Sequence, residues 1–95
     1  MGKYSISKLP SDVLKEISQK HRVLRKEAAM TQSELAERSG VSLGSIKRFE
    51  RSGQISLESL LKLIHLLGRL ADFELILNVS STTNSIEKLF SNKTR

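Results

Sequence analysis

A chain of 95 residues with no cysteine has room for one domain with a modest core, and it excludes disulfide scaffolds and thiolate metal sites. Its net charge of +6 and pI near 10 favour anionic partners, and no apolar run approaches the length of a membrane span. The basic excess is uneven: residues 1–53 carry 11 Lys/Arg against 6 Asp/Glu, residues 54–95 only 5 against 4.

Residues 1–10 read as a flexible N-terminal arm ending at Pro10, without the apolar stretch of a secretory leader and with only a weak myristoylation match at Gly2. Ser11 then reads as an N-cap with Asp12 in the first turn. Val13, Leu14, Ile17, His21, Leu24 and Ala28 recur at three- and four-residue steps, which predicts a helix over 11–28. Its outer face carries Lys15, Lys20, Arg22, Arg25 and Lys26.

Thr31 and Glu34 form a capping-box pattern that opens a short second helix, which buries Leu35 and Ala36 and stops at Ser39-Gly40. Ser42 caps a third helix with Ile46 and Phe49 on its inner face, ending at Ser52-Gly53. Ser56 caps a fourth, whose Leu57, Leu60, Leu61, Ile64 and Leu67 make a broad apolar stripe before Gly68.

Beyond Gly68 the period changes. Phe73, Leu75, Leu77 and Val79 alternate with Asp72, Glu74, Ile76 and Asn78, which predicts a β-strand within 69–79. With no partner strand in the chain, its edges are best satisfied by the same strand of a second copy, antiparallel across a two-fold axis. The expected architecture is an all-α domain of four to five helices over 11–68, plus one C-terminal strand that pairs across a homodimer through Phe73, Leu75, Leu77 and Val79. Residues 80–95 form a polar tail in which 86–90 can make one helical turn.

Two short helices joined by "RSGVS" follow the helix-turn-helix plan, with Gly40 at the turn and Val41 plugging the angle between the helices. The stretch "MTQSELAERSGVSLGSIKRFERSGQISLESLLKLIHLLG", residues 30–68, resembles the Cro/phage-repressor, xenobiotic-response-element type of helix-turn-helix. The resemblance rests on T-Q-x-x-L-A, G-V-S, x-x-I-x-x-x-E and the Leu-rich fourth helix. It implies that Gln32 contacts a phosphate and that the exposed face of the third helix reads bases in the major groove: Ser42, Leu43, Gly44, Ser45, Lys47 and Arg48. Many family members carry polar residues where this chain has Leu43 and Gly44. Leu43 can still pack on a thymine methyl, Gly44 permits close backbone approach, and Arg48 can grip guanine with two hydrogen bonds. Arg51 and Lys62 add backbone contacts. The bland alternative makes Lys47, Arg48 and Arg51 a solvated face, with Glu50 pairing locally. On either reading Glu50 is structural, bridging to Arg38 or another basic side chain within the domain.

A helix-turn-helix followed by one strand also resembles HipB-type antitoxins, the DNA-binding partners of HipA-like kinase toxins. That resemblance implies a prokaryotic, cytoplasmic protein, nucleoid-associated when bound to DNA. Its dimer would bind a palindromic operator with half-sites about 34 Å apart. It would repress its own operon and restrain a toxin. A stand-alone repressor, or an interaction module that has lost sequence reading, are the other possibilities. His21 and His65 lack a second metal ligand at useful spacing, and no nucleophile–base set or Gly-rich phosphate loop is present, so no metal, cofactor or enzymatic activity is expected.

Overall fold

In the computed structural model, which describes residues 8–79, four α-helices are followed by a closing 3₁₀ helix: α1 (Pro10–Glu27), α2 (Gln32–Ser39), α3 (Leu43–Ser52), α4 (Leu57–Leu66) and the 3₁₀ segment Leu70–Leu75. The expected arm up to residue 7 and the expected tail over 80–95 lie outside the described residues.

Local chemistry sets the boundaries of α2, α3 and α4. Thr31 Oγ1 accepts from the Glu34 amide at 3.0 Å while Glu34 Oε1 accepts from the Thr31 amide at 2.8 Å, a closed capping box. Ser42 and Ser56 cap α3 and α4 by accepting from Ser45 and Ser59, each at 3.1 Å. Gly40 and Gly53 end α2 and α3 in the left-handed conformation, at φ 82° and 86°. Gly53 has a second reason to lack a side chain: a Cβ there would stand 3.0 Å from the carbonyl carbon of Leu14 on α1.

Helix α1 departs from expectation at both its start and its buried face. Its N-cap is Leu9 rather than Ser11. Pro10 sits at the first helical position, where its missing N–H costs nothing, and Asp12 Oδ2 reaches back to the Leu9 amide at 2.9 Å. Val13 and Leu14, expected inside, are exposed, whereas Ser18, His21 and Arg25 are buried. Arg25 was expected on the outer face. It turns inward because a carboxylate from α3 waits for it there.

The core is Leu35, Val41, Ile46, Phe49, Leu60, Leu63 and Ile64, with Ile17, Met30, Ala36, Ile55, Leu66 and Phe73 packed around it. Every helix contributes, so α2 and α3 are held at a fixed angle on a platform made by α1 and α4. Leu57 stays exposed and Leu61 is only half-buried, so the α4 stripe is narrower than its sequence suggests.

Residues 69–79 differ from the expected strand. Leu70–Leu75 is a 3₁₀ helix opened by an Arg69–Asp72 ion pair at 2.8 Å, and the described residues contain no strand. A lone strand in one chain has no ladder partner, so the backbone satisfies itself locally: the Asp72 amide donates to the Arg69 carbonyl and the Ile76 amide to that of Phe73. Of the four residues expected to pair across a dimer, Phe73 packs against the core, while Leu75, Leu77 and Val79 stay exposed, Leu77 at 93% and in a left-handed conformation with φ 56°. No helix among the described residues is long and apolar enough to cross a membrane.

Candidate nucleic-acid interface

Helix α3 is two-faced by sequence. Ile46 and Phe49 are buried to within 1% of full exclusion, and Lys47, Arg48 and Arg51 are exposed on the other side. The only acid of α3, Glu50, does not share that exposed face. Its side chain is 4% exposed and turned toward α1. There Arg25 grips it with two parallel hydrogen bonds, Nε to Oε2 and Nη2 to Oε1, both 2.9 Å. Arg25 Nη1 also donates to the Met30 carbonyl at 2.8 Å, and Gln32 Nε2 donates to Glu50 Oε1 at 3.0 Å. One carboxylate therefore ties α1, α2 and α3 together, and Glu50 pairs with Arg25 rather than with Arg38.

The fourth member is His21, fully buried, its ring edge-on to Phe49 with centroids 5.1 Å apart. Its Nδ1 lies 2.9 Å from Glu50 Oε2, a close polar contact outside hydrogen-bonding geometry, and neither ring nitrogen has a hydrogen-bond partner among the described residues. Burial pushes the imidazole below its ordinary pKa, and the Arg25 charge adds to that. The Glu50 carboxylate, pulling the other way, does not overcome them. For Glu50, burial alone would raise the pKa. The hydrogen bonds from Arg25 and Gln32 and the nearby positive charge outweigh it, and the carboxylate stays below its usual range. Near neutral pH the cluster is thus a neutral His21 beside a charged Arg25–Glu50 pair.

Withdrawing Glu50 into this cluster leaves the outward cations uncompensated. Among the described residues no carboxylate lies within ion-pair distance of Arg22, Lys47, Arg48 or Arg51, although four other ion pairs form. Gln32 and Arg51, both expected at the DNA, line one open depression together with Arg22, which the sequence placed on an outer face but did not single out. Ser45 and Arg48 line a second with Gln54, Ser56 and Ser59 of the α3–α4 corner.

The remaining expected contacts divide by what their atoms are already doing. The Ser42 hydroxyl accepts from the Ser45 amide and donates to Ser45 Oγ at 2.8 Å, so it is committed to the cap. The Ser45 hydroxyl proton remains available. Leu43 is half-buried and Gly44 exposed, with nothing within 4 Å of where a Gly44 Cβ would stand. Gln54 was missed by sequence reasoning, since a lone Gln after a turn glycine carries no signal of its own. The Arg25–His21–Glu50 cluster was missed because its members are 25 and 29 residues apart from Glu50 in the chain, beyond any local pattern.

The helix-turn-helix family model matches residues 22–73, more than half of the chain and the whole of α2, α3 and α4. Comparison with curated proteins and with solved structures returns no match. With a two-helix unit on a rigid platform and an uncompensated basic face, the chain belongs to the helix-turn-helix family of the Cro/phage-repressor type and is a DNA-binding regulator.

Proposed function

We propose that the chain is a sequence-specific transcriptional repressor that binds a palindromic operator as a homodimer. We further propose that it serves as antitoxin and autoregulator of a type II toxin–antitoxin operon with a HipA-like kinase toxin. The observation that carries DNA reading is the inward turn of Glu50, which strips the exposed face of α3 of its only acid. Lys47, Arg48 and Arg51 then face a polyanion without an internal competitor.

Roles follow from chemistry. Gln32, Lys47 and Arg51 contact phosphates, with Arg22 beside them, and set the register of α3 in the major groove. Gln32 uses one amide hydrogen on Glu50 and keeps the other for a phosphate oxygen. Arg48 contacts a guanine edge, the Ser45 hydroxyl a base or phosphate acceptor, and Leu43 a thymine methyl. Gly44 lets the backbone come close, and Ser42 holds the start of the helix. The exposed Leu75, Leu77 and Val79 supply the apolar surface for a second copy.

The deciding experiment is an electrophoretic shift on the DNA upstream of the protein's own gene against scrambled DNA of equal composition. A preference of about a thousandfold or more, falling steeply with salt, is the expected result. Arg48→Ala should erase most of the preference, while Gln32→Ala should weaken binding to both DNAs alike. Equal affinity for both DNAs in the parent protein would instead favour an interaction module. A HipA-like kinase reading frame beside the gene, and its product bound to this chain, would carry the antitoxin role; a repressor gene standing alone would remove it.

A further inference from the structure

The corner between α3 and α4 holds a closed circuit of hydrogen bonds around one arginine. The Ser52 hydroxyl donates to the Arg48 carbonyl at 2.8 Å, and the Gln54 amide donates to the Ser52 hydroxyl at 3.3 Å. The Gln54 side chain then returns to the same residue, with Arg48 Nη2 donating to Gln54 Oε1 at 2.7 Å. Between Ser52 and Gln54, Gly53 is buried and left-handed, and its α-carbon lies so near α1 that a Cβ there would stand 3.0 Å from the Leu14 carbonyl carbon. Gln54 is thus held to the backbone of Arg48, through Ser52, and directly to its guanidinium, from a corner fixed on α1.

We infer that Gln54 is a positioning residue for base reading: it holds the Arg48 guanidinium in the orientation in which its remaining donors meet a guanine edge. The inference rests on α3 being the reading helix. Arginine is long and rotamer-rich, and freezing such a side chain on binding costs about three- to tenfold in affinity. An acceptor already in place removes part of that cost. Gln54 Oε1 occupies a single N–H of the fork and leaves the others for DNA. The acceptor is also neutral, so Arg48 keeps its full charge toward the phosphates, which a carboxylate at this position would cancel. Gln54 is itself exposed, so replacing it leaves the core untouched.

The test is selection of binding sites from a randomised duplex library with the full chain, in five forms: parent, Arg48→Ala, Gln54→Ala, Gln54→Glu and the double variant of Arg48→Ala with Gln54→Ala. The parent should return a motif with a guanine that Arg48→Ala no longer selects. Gln54→Ala should relax preference at that same guanine by about three- to tenfold, with other positions and the thermal midpoint unchanged. Gln54→Glu keeps an acceptor for Arg48, so it should retain the guanine while binding all DNA more weakly. Adding Gln54→Ala to Arg48→Ala should change nothing further. A parent that selects no motif overturns the reading of α3, and the role of Gln54 with it. A parent motif left intact by Gln54→Ala overturns the positioning role alone. So does a uniform loss on all sequences, which marks a phosphate contact, or a new preferred base at a position insensitive to Arg48, which marks direct reading by Gln54.

Discussion

Gly44 stands in the first turn of α3 with open space where its Cβ would be. Nothing inside the domain asks for a glycine there, and a helical glycine is worse than alanine by about 1 kcal/mol. The missing side chain makes sense only toward something outside the protein, and the proposed occupant is the DNA surface. Gly44→Ala should therefore raise the free energy of unfolding, by up to about 1 kcal/mol in urea titration, while weakening operator binding. A variant that is more stable and binds equally well would remove close backbone approach from the mechanism. On the proposed reading, Leu43 and Gly44 would give α3 shape and methyl contacts at its start and leave hydrogen bonding to Ser45 and Arg48.

Among the elements, the cluster of His21, Arg25, Gln32 and Glu50 has the most distinct thermodynamic signature. His21 is held below its ordinary value of 6.5, so the unfolded chain binds more protons as pH falls through that region. Its contribution is complete above about pH 6.5 and is lost as pH falls toward the folded-state value. Glu50 is also depressed, from 4.5, so its contribution is present above that pH and is lost as the pH drops through the folded value. Both losses have the same sign, and acid destabilisation should begin in the His21 window. His21→Leu should flatten the stability profile between about pH 7 and 5 and keep the steeper fall at lower pH. An unchanged slope in that window would take His21 out of the account.

How far these elements were legible in the sequence depends on the range of the interaction that makes them. Thr31–Glu34, Ser42–Ser45 and Ser56–Ser59 are three residues apart, and Gly40 and Gly53 act on the preceding turn, so α2, α3 and α4 could be read to within a residue. The start of α1 was misplaced because its cap works through Asp12 reaching back to Leu9, a residue with no capping chemistry of its own. The inward turn of Arg25 depends on a carboxylate in another helix, and Arg48–Gln54 on a turn fixed by α1. Neither partner is visible in a local pattern. In the last segment the period-two pattern is plain in the sequence, but a strand needs a second edge, and a single chain does not supply one.

At the scale of the whole molecule, the core among the described residues is confined to α1–α4, and residues 74–79 contribute little to it. Leu75 is 70% and Leu77 93% exposed, so their apolar surface finds no shelter among the described residues. Leu75→Lys should leave the helical domain folded and shift the species seen by analytical ultracentrifugation from dimer to monomer. A dimer that persists with the lysine in place would move the proposed two-fold axis away from this segment.

That exposed leucine pair also bears on how the gene's output would respond to the amount of protein. When each operator needs two chains that meet only through weakly covered surface, occupancy below the dimerisation constant varies with the square of the chain concentration. Halving the pool of chains then removes about three-quarters of the active species, not half. On the proposed dimeric, autoregulatory reading, the protein would release its own promoter abruptly as the pool of chains falls, and close it again as abruptly when the pool recovers.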